Sequence, residues 1–331
     1  MAKLCIYGTV LNSADTVERA IRSVFRPDAD IVITDGGSMD NTYEKLLEIS
    51  KDYNLRVYRA SGTGRGLGRQ IALTKCPEGS YVTPFDLDDE YNIYWHRSLD
   101  WGMAIGGPKP LNSLYYREYL LSKGGWSDLN YPEDYELGAR VSFDNYFPLI
   151  MRTRIRDLKF NNLAEYELKR YSRGFIGSLK RTLRYEIDII RGYGYTLRDY
   201  LQEPAFKKRL YLRPFAVLVY GIASLEGIYR YDRRFNNHDL VYYNSLLKIR
   251  DPVKELSVDK RYAAMIIPIS TAMQIGVDWA AERLKLAGLR PYLCERIRGM
   301  ALVGMRDLSA IDTINKNVYI KLTSCKPLDE I

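Results

Sequence analysis

The apolar positions of the first third of the chain alternate between two spacings. Lys3 to Val10 is a short, nearly continuous apolar run that predicts a covered strand. Thr16 to Phe25 then repeats its apolar residues at helical spacing, with Val17, Ala20, Ile21 and Val24 on one face, after the capping side chains of Asn12, Ser13 and Asp15. Ile31–Thr34 predicts a second strand, Tyr43–Tyr53 a helix and Leu55–Tyr58 a third strand. Gly62 to Gly68 reads as a glycine-rich loop leading into a helix through Ile71, Ala72 and Leu73. Tyr81 to Phe85 is a fourth strand, since aromatic and β-branched residues suit a covered, pleated surface. Strands alternating with helices imply a largely parallel sheet with helices on both faces. Right-handed crossovers then place every strand's carboxyl end along one edge.

Candidate chemistry collects at that edge. The fourth strand ends in Asp86, Asp88, Asp89 and Glu90. A D-x-D at a strand end suits a divalent cation shared with a diphosphate, because Mg²⁺ takes one or two carboxylates together with phosphate oxygens. A solvated acidic turn has the same pattern. Asp35, after the second strand, can accept a donor N–H such as a nucleobase imide. Ser38, Asp40 and Thr42 read as helix-start residues. The Gly62–Gln70 stretch either brings backbone N–H groups and the guanidiniums of Arg65 and Arg69 to a diphosphate or is a flexible loop with solvated arginines. As a dinucleotide fingerprint it lacks both the first-strand position and the following acid.

Past residue 150 the pattern changes. Met151–Lys159 alternates basic residues with Ile155 and Leu158, and Ala164–Gln202 reads as helical and strongly basic. Such a helix lies on an anionic membrane surface or forms the solvated face of a helical domain. Pro214–Leu225 is uncharged but too short to span a bilayer, so it is a buried helix or an interfacial insertion. Ala263–Ile269 predicts a strand and Thr271–Ala287 a helix capped by Gly288. Further strands are expected at Pro291–Glu295, Met300–Met305 and Val318–Leu322.

Charge sharpens the division. Residues 1–150 hold 16 Lys and Arg against 21 Asp and Glu, a net of −5, while the remainder holds 33 against 20, a net of +13. The chain therefore divides into an acidic α/β domain (1–150), a basic, mainly helical region (151–255) and a small α/β unit (256–331). The basic half suits an anionic partner. The 4 cysteines (Cys5, Cys76, Cys294, Cys325) form no C-x-x-C pair and read as separate thiols of a reducing compartment. Only 2 histidines, His96 and His238, are present, which leaves little room for imidazole metal or triad chemistry. No leader is expected, because Met1–Val10 runs straight into a strand pattern. A cytoplasmic location is expected, with peripheral contact at the inner face of a membrane. Few glutamines and many tyrosines and charges are the composition of heat-stable proteins.

Five stretches taken together, LCIYGTVLNSADTVERAIRSVF, VITDGGSMDNT, GRGLGRQIAL, YVTPFDLDDEY and the run from Asn112 to Arg140 with GGWSD and PEDYELGAR, resemble the family 2 glycosyltransferases with a GT-A fold. The resemblance covers about residues 3–150. It implies a Rossmann-like, mostly parallel sheet and transfer of a sugar from a UDP- or GDP-linked donor. Asp35 would hold the base, with Thr9, Asn12 and Gly37 beside it, and Arg65 and Arg69 would lie near the diphosphate. Asp86 and Asp88 would be the D-x-D that binds Mg²⁺ or Mn²⁺, with Asp88 the better ligand. Asp134 would be the general base, with Glu133 the alternative, and a single base implies inversion at the anomeric carbon. Gly68-Arg69-Gln70 departs from the usual Ala-Arg-Asn, and the stretch from the D-x-D to Gly106-Gly107 is short, which trims the acceptor wall. The Q-x-x-R-W of processive members is absent, which implies transfer of a single sugar. The acceptor, a lipid phosphate, a growing glycan or a protein, stays open, and no specific nucleic acid is expected.

Two other classes fit parts of the pattern. A nucleotidyltransferase also uses paired acids on such a sheet, but Gly8-Thr9-Val10-Leu11-Asn12 stands where its G-x-G-x-R would be. A non-enzymatic module binding RNA or lipid through the basic half would leave the acids incidental.

Overall fold

The computed structural model describes residues 3–111, 113–141, 149–155, 174–229, 252–269, 272–273, 276–296, 299–317 and 321–330. The first part runs β1 (Leu4–Val10), α1 (Val17–Val24), β2 (Ala29–Asp35), α2 (Thr42–Ile49), β3 (Leu55–Arg59), α3 (Arg65–Lys75) and β4 (Tyr81–Pro84). It continues through β5 (Asp89–Tyr91), α4 (Ile93–Ile105), β6 (Tyr115–Tyr116), α5 (Arg117–Ser122), α6 (Glu133–Val141) and β7 (Arg152–Arg154). The main sheet has the order β3-β2-β1-β4-β6, parallel except where β6 runs against β4. The expected α/β architecture is therefore present.

Alternation along each strand builds the two layers. Leu4, Ile6, Ile31 and Ile33 pack with Val17, Ala20, Ile21 and Val24 of α1 and with Leu46 of α2. Cys5, Tyr7, Val32 and Val82 face the other way, onto Ala72 and Leu73 of α3 and Leu137 of α6. The four apolar residues read as the face of α1 are all fully buried; burying a Val or Ile side chain is worth about 1.5–3 kcal/mol.

Three expectations are corrected. Helix α2 stops at Ile49 and does not reach Tyr53: Lys51 and Asp52 donate to the carbonyls of Glu48 and Ile49, which tightens the chain into a turn, and Tyr53 folds back edge-on to Phe25 at 4.7 Å. The glycine-rich stretch is mostly helix, since α3 begins at Arg65 and contains Gly66 and Gly68. These two glycines serve close packing: a Cβ at Gly66 would lie 2.0 Å from the Ser127 carbonyl oxygen, and one at Gly68 would lie 2.2 Å from Thr9 Oγ1. The cysteines are paired, Cys5 with Cys76 and Cys294 with Cys325. Their wide spacing concealed this, because Cys5 on β1 meets Cys76 at the end of α3, which covers that strand, and Cys294 and Cys325 are partners across two antiparallel strands.

The later chain holds α7 (Gly174–Tyr193), α8 (Leu197–Leu201) and α9 (Arg213–Glu226), joined by a core of Ile187, Ile190, Tyr200, Phe206, Ala216, Val219 and Ala223. Lys169, Arg170 and Arg173 of the predicted basic stretch, like Asn112 and His238, lie outside the described residues. Then come β8 (Ala264–Pro268), α10 (Val277–Leu286), β9 (Arg290–Arg296), β10 (Gly299–Met305), α11 (Ala310–Asn317) and β11 (Leu322–Pro327). Their sheet, in the order β11-β9-β10-β8, is antiparallel throughout. Helix α10 begins after Gly276 at φ 92° and Gly288 at φ 75° follows its end; residues 272–273 of the predicted helix are also helical, and 271 and 274–275 lie outside the described residues. The last strand is described from Leu322 onward, while residues 318–320 of the predicted one lie outside the described residues.

One core cluster holds Val17 and Ile21 together with Leu256, Met265, Ile267 and Leu284, so the last segment packs directly on the first. Among the described residues no helix is long and apolar enough to cross a membrane.

Candidate active site

The carboxyl edge of the main sheet gathers the loops after β1, β2, β3 and β4. After β1, Asn12 (φ 50°) donates its N–H to Ser38 Oγ at 2.9 Å and accepts from the Met39 N–H at 2.9 Å, which clasps the turn that follows β2. Inside that turn Asp35 is fully buried, and its Oδ2 accepts from the N–H groups of Gly37 and Ser38, each at 3.1 Å. Gly37 has φ 96° and passes 3.0 Å from the Ser61 Cα measured from an added Cβ, so a side chain is excluded on two counts. Thr9 donates to the Thr34 carbonyl at 3.1 Å and supports α3 through Gly68.

The centre of the site is Arg69. Its Nη1 donates to Glu133 Oε1 at 2.7 Å and its Nη2 to Asp86 Oδ1 at 2.7 Å, and its guanidinium stands 4.7 Å over the Trp126 ring. Trp126 is held in turn by its indole N–H, which donates to Tyr7 Oη at 2.8 Å. The acidic turn and the PEDYEL stretch, predicted as separate motifs, therefore meet through one buried cation. Glu133 is 2% exposed, and burial pushes its carboxyl above the usual carboxylate range while Arg69 and Arg65 pull the other way. Glu133 Oε2 accepts no hydrogen bond from any described residue. Arg65, half exposed, lies 3.6 Å from Glu133 Oε1, and its backbone N–H donates to Asn130 Oδ1.

Asp134 differs from its neighbour. It sits in the first turn of α6 with an exposed side chain, and its Oδ1 accepts the Tyr135 N–H at 3.0 Å. The chain enters this helix through a cis Tyr131–Pro132 peptide.

Arg152 was not singled out among the expected site residues. Its Nη1 lies 2.7 Å from Asp86 Oδ2 and 3.0 Å from Asp89 Oδ2, so Asp86 is gripped by two guanidiniums. Strand β7 pairs with β5 directly behind the D-x-D, and the Ile155 N–H donates to the Asp88 carbonyl at 2.9 Å. The alternation of basic residues with Ile155 was the one visible trace of this strand.

No group of three His, Cys, Asp or Glu side chains converges to cage a metal among the described residues. That excludes an all-protein cage there. Of the two D-x-D carboxylates, Asp86 has both oxygens in ion pairs, Oδ1 with Arg69 and Oδ2 with Arg152.

Residues 5–99 match the family model described as Glycosyl transferase family 2. No curated protein matches the chain. Among solved structures, the chain is similar to S. aureus TarS at 17% identity and TM-score 0.38, covering 68% of this chain and 53% of that one. It is also similar to residues 1–349 of TarS in complex with UDP-GlcNAc, at 16% identity and TM-score 0.37, with 70% and 94% covered. A third similarity is to the mannosyltransferase PcManGT from Pyrobaculum calidifontis in complex with GDP-Man and Mn²⁺, at 14% identity and TM-score 0.39, with 83% and 87% covered. The chain thus spans about half the length of the longer TarS structure. Superpositions this loose carry no functional weight.

Proposed function

We propose that this chain, a glycosyltransferase by its family 2 segment at residues 5–99, moves a single sugar from a nucleotide-diphosphate donor to an acceptor hydroxyl, with a divalent cation and with inversion. The observation that supports the reading best is the Asp86–Arg69–Glu133 bridge, which brings the D-x-D and the turn bearing Asp134 to one place.

In this reading the base of a UDP- or GDP-linked donor docks at the Asp35–Gly37 turn beside Thr9 and Asn12. Asp88 would hold Mg²⁺ or Mn²⁺, with Asp86, whose oxygens pair with Arg69 and Arg152 in this structure, as the second carboxylate, and the cation would supply Lewis-acid stabilisation of the departing diphosphate. Arg65 adds positive charge on the exposed side. Arg69 fixes the two carboxylates, which is a positioning role. Asp134 takes the proton of the acceptor hydroxyl as its oxygen bonds to the anomeric carbon, and the bond to the diphosphate oxygen breaks with its electron pair leaving on the nucleotide. Asp134 suits this role better than Glu133, since Glu133 is buried against Arg69 and Asp134 faces outward.

Peripheral contact with an anionic membrane belongs to the same reading. Leu210, Tyr211, Phe215, Leu218 and Leu225 are exposed on and before α9, next to exposed Lys207, Lys208, Arg209 and Arg213. Apolar side chains rimmed by cations suit the interface of an anionic bilayer.

The test is hydrolysis and transfer across a panel of nucleotide sugars, with and without divalent metal. Asp134→Asn should abolish transfer and keep donor binding. A fully active Asp134→Asn enzyme would refute its role as base.

A further inference from the structure

We propose that the tyrosine-lined cavity between α7 and the loop preceding Asp134 is the acceptor subsite, and that it takes a neutral sugar ring, so the acceptor hydroxyl belongs to a glycan. This rests on the reading of Asp134 as the base.

The cavity measures about 330 Å³. That is the lower end of the roughly 300–1,000 Å³ typical of small-molecule sites, which are lined by aromatic rings with a few placed polar groups. Its walls are two stacked ring pairs: Tyr131 with Tyr185, centroids 4.9 Å apart at 28°, and Tyr193 with Tyr195, 5.5 Å apart at 21°. Glu186 and Glu203 supply the polar groups.

These walls are anchored. Asp188 of α7 accepts the Asn130 N–H at 2.9 Å, and a Cβ at Gly192 would lie 2.5 Å from the Pro132 ring. Helix α7 is therefore pressed against the Asn130–Pro132 loop, and the Gly there allows it. The carboxylates are held as well: the Tyr200 hydroxyl donates to Glu186 Oε2 at 2.6 Å, and the Tyr195 hydroxyl donates to Glu203 Oε1 at 2.9 Å.

The link to the chemistry is short. Tyr131 lies three residues before Asp134, and the Tyr135 ring, next after Asp134, stands 5.8 Å from the Tyr193 ring. Burial pushes the Tyr193 hydroxyl well above its usual range, with the Asp134 charge among the smaller contributions. The Tyr135–Tyr193 contact joins the cavity wall to the turn that carries Asp134.

The lining selects the class of ligand. A sugar ring has an apolar C–H face and a rim of hydroxyl donors. The C–H face suits an aromatic plane, and a carboxylate has about four acceptor sites, more than the one phenol each uses here. Among the described residues no Lys or Arg lines the cavity and two carboxylates do, so a phosphate would meet like charge there. This narrows the acceptor from lipid phosphate to saccharide.

The test is calorimetric titration of the full chain with methyl α-mannopyranoside, cellobiose and diacetylchitobiose, with farnesyl phosphate as the anionic comparator. At least one saccharide should bind. Tyr193→Ala should weaken it at least tenfold, Tyr193→Phe should retain it, and Glu186→Gln should weaken it severalfold. If Tyr193→Ala fails to fold, Glu186→Gln carries the test. No saccharide binding, equal binding by Tyr193→Ala and Glu186→Gln, or farnesyl phosphate competing for the same site would each overturn the proposal. Donor binding is read separately, from the thermal shift of the wild type with UDP or GDP and Mn²⁺. A donor shift without saccharide binding sinks the subsite alone. Saccharide binding without any donor shift sinks the transfer reading and leaves a saccharide site.

Discussion

Arg69 and Glu133, 64 residues apart in the chain, form an ion pair of 2.7 Å with little of either side chain in contact with solvent. The pair joins α3 to the start of α6. It also orients the peptide on which Asp134 sits, so a stability element and a positioning element coincide.

Removing the cation should expose that dual role. Arg69→Ala leaves Glu133 buried without its nearest counter-charge, with only the half-exposed Arg65 at 3.6 Å, and releases one of the two grips on Asp86. Breaking a buried pair from one side costs about 3–5 kcal/mol. Urea unfolding should show a loss of that order, and sugar transfer should fall as well. An Arg69→Ala chain with wild-type stability would contradict the bridge.

The raised pKa of Glu133 makes stability depend on pH. With the folded-state value above the unfolded one, the native protein keeps this proton longer than the unfolded chain. Its contribution is therefore full at low pH and is lost as pH rises through the raised value. Glu133→Gln should abolish that decline, so its stability relative to wild type should increase as pH rises above the usual carboxylate range. Unfolding midpoints of the two proteins across that range give the comparison, and parallel curves would count against it.

Gly66 should tolerate no side chain. A Cβ there meets the Ser127 carbonyl oxygen at 2.0 Å and the Leu129 carbonyl oxygen at 2.9 Å, both backbone atoms that cannot swing away. Gly66→Ala should lower stability by about 1–3 kcal/mol, the usual cost of overpacking, and weaken transfer by parting α3 from the loop before α6. Thermal melts and a transfer assay on the same sample provide the check.

The disulfide between Cys5 and Cys76 spans 71 residues of sequence. Closing so long a loop restricts the unfolded chain, and Cys76→Ala should lower unfolding stability by about 2–4 kcal/mol. Denaturation with and without dithiothreitol should reproduce the effect in the wild type and spare the variant of this particular loss.

Asp88 is the position at which the cation is tested. Asp88→Asn should remove the stabilisation that UDP or GDP with Mn²⁺ confers on the wild type and reduce transfer by roughly 100-fold or more. Unchanged metal-dependent stabilisation would exclude it as a ligand.

How far the sequence could be read depended on the range of each interaction. Strands β1 to β4 were visible because Val17, Ala20, Ile21 and Val24 repeat at helical spacing between runs that do not, and such periods are local. The Asp86 and Asp134 stretches were visible as motifs. Their junction was not, because Arg69 reads equally well as a solvated side chain until its two partners are placed. Gly66 and Gly68 were misread for a related reason: their neighbours, Ser127 and Thr9, are close only in space. The cysteines were read as unpaired thiols because C-x-x-C spacing reports only local pairs. Tyr193 and Tyr195 stood in plain view as Gly-Tyr-Gly-Tyr, yet nothing nearby in sequence showed that Tyr131 would lie opposite.

Strand β7 and Arg152 lie 53 residues or more past the matched family segment, yet they stitch the turn that carries Asp86, Asp88 and Asp89. The motif-bearing part is for that reason not a portable cartridge. A chimera that transplanted the stretch ending at residue 99 onto a foreign tail would inherit every recognisable signature and forfeit the clasp that shapes them. Swapping tails among such proteins should thus alter the donor side of the reaction as well as the choice of acceptor.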